Sequence, residues 1–163
     1  MTVLAKQIND LTRSLEKQIG NLVTRKDMRA VGELSVALIV NRTRSGRGVK
    51  SPGGNVSGLK SLSEQYILFR QRNRIRLSNT TSPSKSNLTF SGQMLESISV
   101  LKVSKVKFNQ IVKIGIKPNN RDDGKTNTQV INWVSNMRPF FFLSKGEATK
   151  IRKELSKRIK SKT

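Results

Sequence analysis

The feature that most constrains how this chain can fold is the alternation of apolar and polar residues between Ile98 and Ile116. Ile98, Val100 and, after a break, Val103 and Val106 face a second run of Ile111, Val112, Ile114 and Ile116. Lys102, Lys105, Lys107, Lys113 and Lys117 fill alternate or flanking positions. A period of two with a lysine-rich side predicts two half-buried antiparallel strands that turn near residues 107–110. The lysines also discourage strand-to-strand aggregation, so they need no ligand to account for them. Immediately upstream, NLTFSGQMLESI (Asn87–Ile98) runs from apolar Leu88 and Phe90 through a Ser-Gly turn into a short helical turn carrying Met94, Leu95 and Ile98. A hairpin entered through a helical turn offers the face against which the other apolar segments can bury.

Most of those other segments have a helical period. Val3, Leu4, Ile8, Leu11, Leu15, Ile19 and Leu22 recur every three to five residues, the stripe of an amphipathic helix with Gly20 as its weak point. Thr24 and Asp27 form a capping box with Asp in place of the usual Glu, opening a pattern through Met28, Val31, Leu34, Leu38 and Ile39. The two patterns read equally as a helical hairpin or as one bent helix. Ser61 and Glu64 suggest another capping box, leading a short helix with apolar Tyr66, Ile67 and Phe69. TQVINWVSN reads as a brief helix burying Val130, Trp133 and Val134. MRPFFFLS places Pro139 before three phenylalanines and Leu143, an extended edge piece that fills the core. Ser144 and Glu147 then cap a final helix with Ala148, Ile151, Leu155 and Ile159 on one face and a cationic opposite face.

At 163 residues the chain suits one domain. It divides into a helical N-terminal part (1–42), a basic Gly-rich loop (43–60), and a helix, hairpin and C-terminal helix (61–163). Lys6 and Asp10 come too early for a secretory leader, and no apolar run is long enough to span a membrane, so a soluble, unprocessed protein is expected.

Lys and Arg number 32 against 10 Asp and Glu, a formal charge of +22. A monomer so charged repels itself, which calls for a polyanion or an acidic protein surface nearby. Nucleic acid is one reading; a Lys-rich surface in an oligomer with acidic neighbours is the other. In NRTRSGRGVKSPGGNVSG, glycines and Pro52 oppose regular structure while Arg42, Arg44, Arg47 and Lys50 make the loop cationic. Contact with a neighbouring subunit or with DNA phosphates accounts for such a loop, and so does plain flexibility. Its Gly-Arg-Gly lacks the lysine and preceding strand of a nucleotide-binding loop. Arg70, Arg72, Arg74 and Arg76 occupy every second position. An extended chain would line them along one face to track phosphates; a helix would spread them as a solvated tail.

With no Cys and no His, thiolate chemistry, disulfides and imidazole catalysis are excluded. Asp122 and Asp123 lack the further oxygens that a calcium loop requires. Ser84–Lys85 and Ser144–Lys145 only imitate a nucleophile and base. No enzyme, metal or cofactor is expected.

Two phrases in order carry a resemblance. One is Leu-Thr-x-x-Gly-x-Met-Leu-x-Ser-Ile at Leu88, Thr89, Gly92, Met94, Leu95, Ser97 and Ile98; the other is Arg-Pro-Phe at Arg138, Pro139 and Phe140. With the helical N-terminus, the basic loop, the VKIGI strand and the basic C-terminal helix, the chain resembles the neck and tail-completion proteins of tailed bacteriophages. These are also described as virion-morphogenesis or head-tail joining proteins. It departs from them between Ile116 and Arg138, where many relatives carry a turn bearing tyrosine and histidine before a glycine. The resemblance implies an α+β subunit, a small antiparallel sheet with N-terminal and C-terminal amphipathic helices packed on it. It implies a six-fold or twelve-fold ring of identical subunits in the virion neck, made in the bacterial cytoplasm. Such a ring lies between the portal or adaptor and the tail terminator or tail tube, around the packaged DNA. On that reading the Arg42–Lys50 loop and the hairpin lysines Lys105 and Lys107 face neighbouring subunits or the DNA lumen, while Phe140–Leu143 is internal. The rival is a free nucleic-acid-binding protein of ribosomal or nucleoid type.

Overall fold

Helix α1 (Arg25–Arg44) is the spine on which the rest is assembled. The computed structural model describes residues 22–162, apart from 80, 90, 107, 108, 118, 120, 122 and 123. The stripe from Val3 to Ile19, Phe90, Lys107 and the Asp122–Asp123 pair therefore lie outside the described residues. The α1 cap is the one read from the sequence: the Thr24 amide donates to the Asp27 carboxylate at 2.8 Å, and the Asp27 amide donates to Thr24 Oγ1 at 3.2 Å. Its buried face repeats every four residues through Val31, Ser35, Ile39 and Thr43. Ser35 and Thr43 satisfy their hydroxyls by donating to the carbonyls of Val31 and Ile39, both at 2.8 Å. The helix runs two residues beyond Arg42 and ends at Ser45, with Gly46 in the left-handed region.

Against α1 lies the hairpin of β3 (Ile98–Val106) and β4 (Asn109–Ile116), paired Ile98↔Ile116, Val100↔Ile114 and Val103↔Val112. The break in the sequence pattern is a bulge at Leu101, where one extra residue lets Val100 and Val103 share a face. Gly32 permits the close approach of helix and sheet, because a Cβ there would sit 2.7 Å from methyls of both Val100 and Val112.

The segment read as an irregular loop contains a second hairpin, β1 (Arg47–Val49) with β2 (Val56–Gly58), a correction to that reading. Gly48 needs no side chain at this point; a Cβ would lie 2.3 Å from the Pro139 carbonyl oxygen, where the chain passes close enough for the Val49 amide to donate to it at 3.2 Å. Residues 139–143 form no strand. They are held by that bond and by one from the Gly53 amide to the Leu143 carbonyl at 2.9 Å. Phe140 is fully buried, whereas Phe142 is 40% exposed, so the segment is only partly internal.

Three further helices belong to this α+β fold: α2 (Glu64–Arg72), the single turn α3 (Gln93–Glu96) and α4 (Asn127–Met137). Helix α2 is capped by Ser63, not Ser61, and a 3-10 turn (Arg74–Arg76) follows it, so the arginine series is not extended. The last helix, α5 (Lys145–Lys160), opens with the expected box and packs antiparallel to α1. The core is Ile39, Met94, Leu95, Ile98, Ile131 and Phe140. Helix α1 packs on the β3–β4 hairpin and α5 packs along α1, a mixed α+β arrangement as expected.

Candidate interaction surface

Helix α2 carries its apolar residues outward. Tyr66, Leu68 and Phe69 are 41%, 51% and 48% exposed, and Tyr66 and Phe69 stack with ring centroids 5.9 Å apart. The helix is held instead by Arg70, which is 2% exposed and donates to the Lys85 carbonyl at 2.9 Å and to Thr81 Oγ1 at 3.3 Å. Thr81 donates in turn to the buried Asn87 amide oxygen at 2.8 Å, and the Asn87 amide nitrogen reaches the Arg44 carbonyl at 3.3 Å. This polar chain ties α2 to the end of α1. Across from α2, Arg138 at the end of α4 donates to the carbonyls of Lys60 and Ser61, both at 3.1 Å.

Between these anchors runs a groove of about 790 Å³. Its floor is aliphatic: Leu62, Leu88, Met94, Val130 and Val134. Tyr66, Phe69, Trp133 and Met137 form the walls, and Arg70, Arg76, Arg121, Lys125 and Arg138 add positive charge; no described carboxylate lines it. Trp133, expected in the core, is 62% exposed, with the Lys125 ammonium 4.7 Å from its ring centroid. Ile131 takes the buried position on α4. Gly92, whose φ of 85° makes the turn into α3 possible, brings Met94 under the groove. Leu88 also has positive φ, at 56°, a conformation that costs a branched residue roughly 1 kcal/mol or more.

Of the cations singled out from sequence, Arg42 and Arg70 are buried inside the fold, a correction to their reading as contact residues. Arg42 pairs with Glu147 and donates to the Phe140 and Phe142 carbonyls. Burial lowers its pKa from the ordinary guanidinium value, and Glu147 opposes the shift. Burial likewise lowers that of Arg70, and an electrostatic interaction with the Tyr66 phenol group opposes it. Arg44 is half-buried and lies 3.4 Å from Glu96. Arg47, Lys50, Arg72, Arg74, Arg76 and Lys105 are exposed, and Lys107 lies outside the described residues. Only Arg70 and Arg76 of this set reach the groove.

The resemblance phrases have structural places. Leu88, Gly92 and Met94 line the groove, Leu95 and Ile98 enter the core, Arg138 clamps residues 60 and 61, and Pro139 and Phe140 seat the chain against β1. The aromatic walls went unread because α2 has no clear apolar stripe; that lack of a stripe in a helix rich in Tyr, Leu and Phe was the available signal. Among the described residues there is no cluster of three or more metal-ligating side chains and no helix long and apolar enough to cross a membrane. No family model, curated protein or solved structure matches the chain.

Proposed function

We propose that this chain is a structural subunit of a tailed-phage virion, a neck or tail-completion protein. Copies of it close into a six-fold or twelve-fold ring joining the head connector to the tail around the DNA channel, and no reaction takes place on it. The observation that carries this reading is the open side of the β3–β4 hairpin. One face packs on α1. The other leaves Leu101, Val106 and Ile111 at 44%, 53% and 47% exposure beside Lys102 and Lys113. Among the described residues no third strand pairs with either edge. A two-stranded sheet with an apolar open face is a marginal arrangement in water, and a neighbouring copy laid on it removes that surface. Ring contacts of this kind are heterologous, one patch meeting a different patch on the next subunit. The sequence phrases around Leu88–Ile98 and Arg138–Phe140 support the same family, and exposed Arg47, Lys50, Arg72 and Arg74 suit a DNA lumen or acidic neighbours.

Native mass measurement of the purified chain tests this. A closed ring that survives nuclease is expected, and Ile111→Lys with Val106→Lys gives a folded monomer. A wild-type monomer that binds nucleic acid with steeply salt-dependent affinity refutes the ring and favours a free nucleic-acid-binding protein.

A further inference from the structure

The groove between α2 and α4 contains no residue of β3 or β4, so what it binds is a separate question from ring closure. Three observations together characterise its occupant. Its floor is aliphatic and concave, which suits inserted side chains better than flat bases. Its charged lining is entirely cationic among the described residues. Arg76, exposed at its edge, offers a guanidinium that an incoming carboxylate can reach.

We propose that the groove seats an acidic, amphipathic segment of a second protein, with its apolar side chains on the Leu88–Met94–Val134 floor and a carboxylate directed to Arg76. A second copy of this chain is a poor occupant, because with 10 Asp and Glu against 32 Lys and Arg it offers no acidic segment to meet the groove's cations. Single-stranded nucleic acid would use stacking on Trp133, Tyr66 and Phe69, but Lys125 already covers the Trp133 ring and the Tyr66 and Phe69 rings stack on each other. Apolar anchors at helical spacing with acidic flanks match a floor of separate aliphatic side chains under a cationic rim.

Trp133 is the sole tryptophan and stands in the groove wall, so its emission reports occupancy directly. The full chain is titrated with a peptide of about 16 residues that carries Leu and Phe on one helical face and Glu and Asp on the other. A peptide with Lys in place of the acids, and oligothymidylate, are titrated in parallel. The expected result is a saturable blue shift with the acidic peptide that weakens as ionic strength rises. Binding of the Lys peptide is expected to be at least tenfold weaker. Met137→Glu and Arg76→Glu, both at exposed positions, each weaken the acidic peptide about tenfold while leaving the circular dichroism spectrum unchanged. No saturable shift, equal binding of the two peptides, indifference to both substitutions, or a response to oligothymidylate alone would each overturn the proposal.

Discussion

Arg42 and Glu147 form an ion pair inside the fold, their side chains only 6% and 10% exposed, and its removal has a calculable effect. Glu147→Gln preserves the α5 cap, because Gln at that position can still accept from the Ser144 amide, but it leaves the Arg42 charge facing only the Phe140 and Phe142 carbonyls. Arg42→Met strands the Glu147 carboxylate instead. Breaking a buried pair from one side costs about 3–5 kcal/mol, since the remaining charge keeps its desolvation penalty. For a chain of this length each kcal/mol lowers the melting temperature by roughly 2–4 °C, so either single variant should melt about 6–20 °C lower. The double variant removes both charges and should be less destabilised than the sum of the singles by about 1–3 kcal/mol. Urea unfolding of all four proteins measures the cycle. Additive single effects below about 1 kcal/mol, the behaviour of a solvated surface pair, would refute the assignment of Arg42 to the interior.

Gly48→Ala should cost several kcal/mol, because its Cβ meets the backbone carbonyl of Pro139 and neither chain can yield without losing the Val49–Pro139 bond; chemical denaturation reads this. Asp27 is held well below its ordinary pKa of 3.8, chiefly by its bond from Lys162 and then by Thr24. A depressed carboxylate stabilises the fold above its unfolded pKa and loses that contribution as pH falls through the folded value. Stability should therefore decline from about pH 4 downward, and Asp27→Asn should flatten that decline in acid titrations followed by circular dichroism.

Wherever one local rule decided the outcome, the chain was legible. Alternation placed the β3–β4 hairpin, and Thr24–Asp27 and Ser144–Glu147 opened their helices where the cap chemistry required. Local rules failed where distant segments arbitrate. Ser61-x-x-Glu64 satisfies the capping pattern, yet Arg138 holds the carbonyls at 60 and 61 and the helix begins after Ser63. Arg42 looks like any loop-edge cation until Glu147, 105 residues away, comes beside it. Glycines at 46, 48, 53 and 54 argued against order, but Gly46 and Gly53 supply positive φ for turns around a short hairpin, and Gly48 supplies room for Pro139. Of the groove, the sequence exposed Leu88, Gly92, Met94 and Arg138 as a phrase worth noting. Trp133 was assigned inward because large apolar residues usually are, while Tyr66 and Phe69 were read only as apolar residues of a short helix; only the burial of Ile131 on α4 shows which face is left out.

The antiparallel partnership of α1 and α5 is fastened at both ends, by Arg42 to Glu147 across 105 positions and by Lys162 to Asp27 across 135. Neither clasp can close until both segments exist and have met, so α1 stays unsecured until α5 has been made. Long-separated contacts of this sort form slowly and together. The two clasps should thus close together, in one step, when α5 docks along α1.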